Sequence, residues 1–104
     1  MGAPTVVRSP SARRDIRGIY LWIASDNGAE RAEAIMARLN RASERLAKRP
    51  HLGRFRPDLA GDPHSFSVRP WTIVYRSLAD GNGIIILRIL DNRRNVAALL
   101  GKKT

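Results

Sequence analysis

The stretch that decides the fold is Ile84-Ile85-Ile86-Leu87-Arg88-Ile89-Leu90, an aliphatic run interrupted by one arginine. A strand with one solvated face alternates apolar and polar side chains, and this run does not. It therefore predicts a central strand that is buried on both sides. The turn residues Asp80-Gly81-Asn82-Gly83 directly precede it and mark its beginning.

Three other strands are predicted, all of which precede this one in the sequence. Trp71-Thr72-Ile73-Val74-Tyr75-Arg76 is rich in β-branched and aromatic residues, Ser65-Phe66-Ser67-Val68 alternates polar with apolar, and Thr5-Val6-Val7-Arg8 is a short β-prone stretch. Residues 51–63 contain two glycines and two prolines and are expected to form an irregular loop.

Two amphipathic helices are predicted between the strand at residues 5–8 and the strand at residues 65–68. Ser9 is a good N-cap and Pro10 suits the first helical position. The apolar residues that follow at helical spacing are Ala12, Ile16, Ile19, Tyr20 and Ile23. Asn27 and Glu30 resemble a capping box for the second helix, whose stripe is Ala32, Ile35, Met36, Leu39, Ala42, Ser43 and Leu46. A link of three or four residues predicts an antiparallel hairpin.

The whole pattern predicts one α+β domain, residues 1–104, with the order β-α-α-β-β-β. A small antiparallel sheet packs against the N-terminal helical hairpin, and Asn92 caps a short C-terminal helix that carries Val96, Leu99 and Leu100. Trp71 and Tyr75 share one face of their strand, and we expect them to pack under the hairpin rather than to stack on bases.

Charge is the strongest compositional signal, with 19 Lys and Arg residues against 9 Asp and Glu residues, a formal net charge of +10. Such a field attracts nucleic acid or an acidic protein; the alternative is a solvated surface from an arginine-rich proteome. The chain has no cysteine, which excludes disulfides, thiolate zinc sites and cysteine nucleophiles. We expect no cofactor and no metal. No apolar run is long enough for a membrane helix, and a cytoplasmic protein is expected.

Arg88 is the most informative single residue, because it lies among aliphatic residues in a strand. Strict alternation would place it on the face of Ile84, Ile86 and Leu90. An unpaired buried guanidinium is costly. Either Arg88 reaches the rim of the sheet and pairs with a carboxylate such as Asp91, or it lines a functional surface.

Other candidate binding residues lie outside the predicted core. Arg69, Arg76, Arg93 and Arg94 are expected to form a basic patch near the later strands, or else to face solvent separately. Leu21 and Trp22 lie off the apolar stripe of the first helix, which indicates a docking surface unless Trp22 packs on the edge of the hairpin.

Enzymatic machinery is sparse. Cleavage of RNA by its 2′-hydroxyl needs a base, an acid and cations at the phosphate. The only histidines, His51 and His64, lie in or beside the loop after the second helix, where surface positions are expected. No nucleophilic triad and no metal cluster are visible in the sequence.

The ordered set of motifs resembles the RelE/ParE family of toxins, and the ParE branch more than the RelE branch. The segments that carry the resemblance span nearly the whole chain: Ser9-Pro10-Ser11-Ala12, Asp15-Ile16-Arg17-Gly18-Ile19-Tyr20-Leu21-Trp22-Ile23-Ala24, Leu46-Ala47-Lys48-Arg49-Pro50-His51-Leu52-Gly53-Arg54, Phe66-Ser67-Val68, Ile73-Val74-Tyr75-Arg76 and Leu87-Arg88-Ile89-Leu90-Asp91-Asn92-Arg93-Arg94-Asn95.

The resemblance implies the toxin of a type II toxin–antitoxin pair, held in a hetero-oligomer by an acidic ParD-like antitoxin and directed against DNA gyrase. The alternative is a RelE-like, ribosome-dependent endonuclease of messenger RNA, in which Arg76 and Arg88 would serve the scissile phosphate. Arg76 looks like the arginine that ends the third strand of such ribonucleases.

Two departures from the ribonuclease pattern favour a toxin directed against gyrase over a ribonuclease. Asp91 stands where many relatives have a histidine shortly before a pair like Arg93-Arg94, and an aspartate would repel phosphate. The loop after the hairpin offers Arg54 and Arg56 instead of lysines, and arginine is too basic to donate protons easily.

Overall fold

A computed structural model of the chain describes residues 2–92. The elements in chain order are β1 (Thr5–Arg8), α1 (Pro10–Asn27), α2 (Ala29–Lys48), a 3-10 turn (Pro50–Leu52), β2 (Arg54–Phe55), β3 (His64–Val68), β4 (Trp71–Ser77) and β5 (Gly83–Asp91). The predicted α+β class, with a helical hairpin ahead of the later strands, is confirmed. The predicted C-terminal helix lies outside the described residues.

The strands of residues 2–92 form one sheet in the order β1-β5-β4-β3-β2. The pairs β2–β3, β3–β4 and β4–β5 are antiparallel, but β1 runs parallel to β5. The sheet is therefore mixed rather than wholly antiparallel. The helical hairpin and three further strands separate β1 from β5, so the pair is not joined by a tight turn, which would force an antiparallel arrangement.

An irregularity in β5 changes which side chains face the helices. Val74 of β4 pairs with Arg88, whereas the next residue, Tyr75, pairs with Ile86. Leu87 is therefore an extra residue, and such a bulge interrupts the alternation of side chains.

The prediction that Arg88 shares a face with Ile84 and Ile86 is wrong for this reason. Ile84, Ile86 and Ile89 belong to the core under the hairpin, and Ile89 lies opposite Ile73. Arg88 starts from the other face of the sheet.

The beginning of α1 forms as predicted. Ser9 is the N-cap, its hydroxyl accepts a hydrogen bond from Ala12 N, and Pro10 opens the helix. Ala12 and Ile23 are buried, and the rest of the α1 stripe packs against the core.

The junction between the helices is tighter than predicted. Asn27 is the last residue of α1, and Gly28 alone separates it from α2. Gly28 has φ 89°, a conformation that glycine adopts without steric cost. The capping box of Asn27 and Glu30 is therefore wrong: the N-cap of α2 is Gly28, without a side-chain hydrogen bond.

The core lies between the hairpin and the helix-facing side of the sheet. Its side chains come from both helices, β4 and β5, and they include Trp71 and Tyr75, which confirms their predicted place under the hairpin. The loop after α2 is more ordered than expected, because it contains a 3-10 turn and β2. No helix in residues 2–92 is long and apolar enough to cross a membrane.

The parallel pairing of β1 with β5 requires a glycine at position 83, and this can be tested. A Cβ added there would overlap the backbone of Thr5, and φ is 127°. Gly83→Ala should lower the free energy of unfolding by roughly 2–4 kcal/mol, measured by urea denaturation. Gly18→Ala is the control, because nothing lies within 4 Å of its added Cβ and alanine favours a helix. Equal stability of both variants would contradict the described contact.

Candidate functional site: a cleft between α1 and β5

The outer edge of β5 changes its partner halfway along the strand. β1 pairs with Gly83, Ile84, Ile85 and Ile86 and then ends. Beyond that point the start of α1 takes over. Ser9 N donates to Ile86 O at 3.0 Å, and Ser9 Oγ donates to Leu87 O at 2.8 Å. The backbone edge is thus satisfied by the start of a helix rather than by a strand.

Asp15 continues this junction and binds Arg88. One carboxylate oxygen, Oδ2, accepts from Ile89 N at 3.0 Å and from Arg88 Nε at 2.7 Å, while Oδ1 accepts from Arg88 Nη2 at 3.1 Å. The two side chains are 29% and 16% exposed, so the pair is well shielded from solvent. The hydrogen bond that Arg88 donates to Asp15 raises the pKa of Arg88 above its ordinary value.

This contact bears on the alternatives that the sequence left open for Arg88, which also lines the cleft described in the next paragraph. Arg88 forms a carboxylate pair at the rim of the sheet, as the first alternative held, but its partner is Asp15 of α1 rather than Asp91. The bulge and the end of β1 together make this possible, because the arginine can turn over an edge that no strand within residues 2–92 covers. Its guanidinium is committed to a structural pair.

A cleft of about 320 Å³ opens beside this junction. Its α1 wall presents Arg14, Gly18 and Trp22, and its β5 wall includes Leu90 and Asp91. Trp22 is 60% exposed and the adjacent Leu21 is 59% exposed. Gly18 carries no side chain that would narrow the opening. Asp15, Arg88 and Asp91 complete the charged lining, and Arg14 is its exposed cation. Apolar walls with such a cation suit a peptide segment that carries apolar side chains and a carboxylate for Arg14.

The predicted arginine patch is only partly described, and its described members lie apart. Arg69 precedes β4, and its carbonyl accepts from Arg38 Nη2 at 3.1 Å. Arg76 is exposed at the other end of β4, next to Ser77. Arg69 and Arg76 therefore do not form one patch. Arg93 and Arg94 lie outside the described residues.

The histidines lie in an aromatic cluster on the helix-facing side of the sheet. The ring of His64 lies 5.6 Å from Tyr75, 5.8 Å from His51 and 5.4 Å from Phe55, measured between centroids. Burial, helped by the neighbouring His51, lowers the pKa of His64. His64 pairs with Tyr75, and Arg76 follows on the opposite face. The sheet thus separates the imidazole of His64 from the guanidinium of Arg76.

The residue that sequence reasoning missed is Asp15. It was part of a motif, but no role was assigned to it. The sequence does contain a signal for this pair: an acidic residue beside the apolar stripe of α1 and a lone arginine in an apolar strand. Each charge is costly to bury unless the other compensates it. The bulge that aims Arg88 at Asp15 has no clear local signature.

Comparison with known proteins places the chain among toxins. Residues 6–96 match the family described as "ParE toxin of type II toxin-antitoxin system, parDE". Toxin ParE3 of Caulobacter vibrioides is 40% identical over 99 residues, which cover 95% of this chain and 97% of that protein. The chain belongs to the ParE toxin family. Membership of this family implies an antitoxin as partner.

Two solved structures share the fold of this ParE-family chain. The chromosomal ParDE system from P. aeruginosa aligns with a TM-score of 0.70 and 21% identity, over 85% of this chain and 95% of that one. The toxin–antitoxin complex RelBE2 from Mycobacterium tuberculosis aligns with a TM-score of 0.59 and 24% identity, over 86% and 99%. These likenesses support the α+β architecture described above.

The junction can be tested by removing its carboxylate. Asp15→Ala leaves the Arg88 guanidinium and Ile89 N without their acceptor, and should lower the free energy of unfolding by about 2–4 kcal/mol, measured by urea denaturation. Asp58→Ala is the control, because it removes the carboxylate of the Arg56–Asp58 pair, whose aspartate is 51% exposed, and it should lower the free energy of unfolding less than Asp15→Ala does. Similar losses in both variants would show that the junction contributes no more than a surface pair.

Proposed function

We propose that this ParE-family chain inhibits DNA gyrase in the cytoplasm and is neutralised by an acidic, ParD-like antitoxin. The observation that carries the proposal is the ParE family match across residues 6–96, together with 40% identity to Toxin ParE3 along almost the whole chain. Inhibition of gyrase is the activity that the resemblance to ParE toxins implies. The proposal makes the chain a binding protein that acts through contacts with its target.

The arrangement of the candidate ribonuclease residues supports this choice over messenger RNA cleavage. Phosphate cleavage needs cations and proton donors around one reacting group. Arg88 is engaged by Asp15, and Arg76 projects from the opposite face of the sheet to His64. A lowered pKa also makes His64 a poor proton donor at neutral pH. The two arginines start from the same face of the sheet, but the guanidinium of Arg88 is held by Asp15 and the imidazole of His64 lies on the other face.

The cleft between α1 and β5 is the surface that we assign to the antitoxin. Trp22 offers a large exposed aromatic side chain, the type that dominates binding energy when it becomes buried by a partner. Arg14 at the rim supplies a positive charge for an acidic segment. The net charge of +10 favours rapid association with such a partner.

The target is tested by adding the purified chain to DNA gyrase. We expect loss of supercoiling and a change in gyrase-dependent DNA cleavage, both reversed by the cognate antitoxin. Arg76→Ala should retain the effect, because no step requires that arginine. Unchanged supercoiling, or translation-dependent cuts in messenger RNA that Arg76→Ala abolishes, would overturn the proposal; primer extension during growth arrest detects such cuts.

The antitoxin surface is tested by truncating Trp22. Trp22→Ala should weaken antitoxin binding by about 30-fold or more, since a buried aromatic anchor contributes roughly 2 kcal/mol or more. Phe55→Ala is the control: Phe55 is also an exposed aromatic residue, at 52%, but it does not line the cleft. Isothermal titration with the antitoxin measures both. If Phe55→Ala weakened binding as much as Trp22→Ala, the cleft would not be the antitoxin site.

A further inference from the structure

The polar surface of α2 separates its charges by side. Arg38, Arg41, Arg45 and Lys48 follow one another at intervals of three or four residues, which places them along one side of the helix. Glu44 borders this row: it is rotated by about 100° from Arg45, but only by about 60° from Arg41 and about 40° from Lys48. Glu33 belongs to the side that faces α1, since it accepts a hydrogen bond from Tyr20 Oη at 3.3 Å. One flank of α2 is therefore a row of cations.

This row lines a groove between α2 and β3. The groove encloses about 430 Å³, and its charged residues are Arg38, Arg41, Arg45 and Arg69. None of the described residues that line it is acidic. A second hollow of about 300 Å³ shares Arg45 and adds Lys48, Arg49 and Leu52. We call the two together the α2 basic groove. It shares no lining residue with the cleft between α1 and β5.

Contacts with neutral groups hold two of these arginines in place and leave their charge uncompensated. Arg38 Nη2 donates to the carbonyl of Arg69 at 3.1 Å. The guanidinium of Arg45 lies 5.9 Å from the centre of the Phe66 ring, within the range of a cation–π contact. A carbonyl and an aromatic ring orient a guanidinium without neutralising it, so the groove is positioned to receive an anionic ligand.

We propose that the α2 basic groove binds the sugar–phosphate backbone of double-stranded DNA. From Arg38 to Lys48 the helix rises about 15 Å, the axial length of roughly four base pairs. Protein partners usually bury a central apolar anchor, whereas Phe66 and Val68 in this groove are already partly buried in the core. Leu52 is 39% exposed, but it follows the end of α2 and is not central to the row. A row of cations without such an anchor matches backbone binding, which carries no sequence preference. The choice of DNA over RNA rests on the proposed function, because the proposed target is an enzyme that holds DNA.

The experiment measures binding of the purified full chain to a fluorescein-labelled 20-bp DNA duplex by anisotropy at several salt concentrations. Arg41→Gln/Arg45→Gln removes two cations of the groove while keeping helix-forming side chains of similar length. Arg13→Gln/Arg17→Gln is the matched control, because it removes two exposed cations of α1 that line neither the groove nor the cleft. Circular dichroism verifies that both variants fold.

The groove variant should bind the duplex about tenfold more weakly, and the slope of log K against log salt should fall by about 2. The control should change affinity less than twofold and leave the slope unaltered. Equal losses in both variants would overturn the proposal in favour of a general charge effect. Tighter binding to an RNA duplex than to the DNA duplex would overturn the proposal as well. So would a groove variant whose affinity for the antitoxin falls while its affinity for DNA is unchanged.

The same variants in the gyrase assay keep the two proposals distinct. If the chain leaves gyrase active while the groove variant binds the DNA duplex more weakly than the control does, the proposed function fails and the DNA site stands. If gyrase is inhibited but DNA binding does not depend on Arg41 and Arg45, the DNA site fails and the proposed function stands.

Discussion

The carboxylate of Asp15 is the contact on which the arrangement of helices and sheet depends. β5 loses its neighbouring strand after Ile86, and an extra residue turns Arg88 away from the helix-facing core. Both changes would leave polar groups without partners in an apolar region, which is costly. Asp15 satisfies the guanidinium and the Ile89 amide at once. It thereby fixes the position of α1 against the edge of the sheet.

The same contact divides the surface between different kinds of partner. Because Arg88 is held inside the junction, the cleft beside it is lined mainly by apolar groups, with Trp22 exposed on α1. A separate row of cations lies along α2 and before β4. An apolar cleft and a cationic groove recognise different ligands, so a small toxin can hold a protein partner and a polyanion at separate places. Family membership fits such a division, since a toxin must meet both its antitoxin and its target.

Sequence patterns predicted the elements of this fold far better than the contacts between them. Helical spacing identified the buried stripe of α2, and the dense apolar run identified β5, because both signals are strong and local. The bulge at Leu87 and the parallel pairing of β1 depend on the packing of distant segments, so no local pattern encoded them. The single-residue link at Gly28 was hidden because Asn27 fits a cap as well as a helix end. The angle of Trp22 on α1 left docking or packing on the hairpin edge open, and the structure leaves Trp22 60% exposed, whereas the cleft around it required the bulge to be known.

The pairing of β1 with β5 also has a consequence for the order of events during translation. Thr5 lies beside Gly83, and Asp15 meets Arg88 across 73 positions of sequence. Contacts of such long range form slowly, and they must wait for the later segment to be made. A nascent chain that already carries its helical hairpin still lacks the strand that receives β1 and the arginine that receives Asp15. The cleft wall formed by β5 is therefore completed late in synthesis. An incomplete chain does not yet present the surface that we assign to the antitoxin.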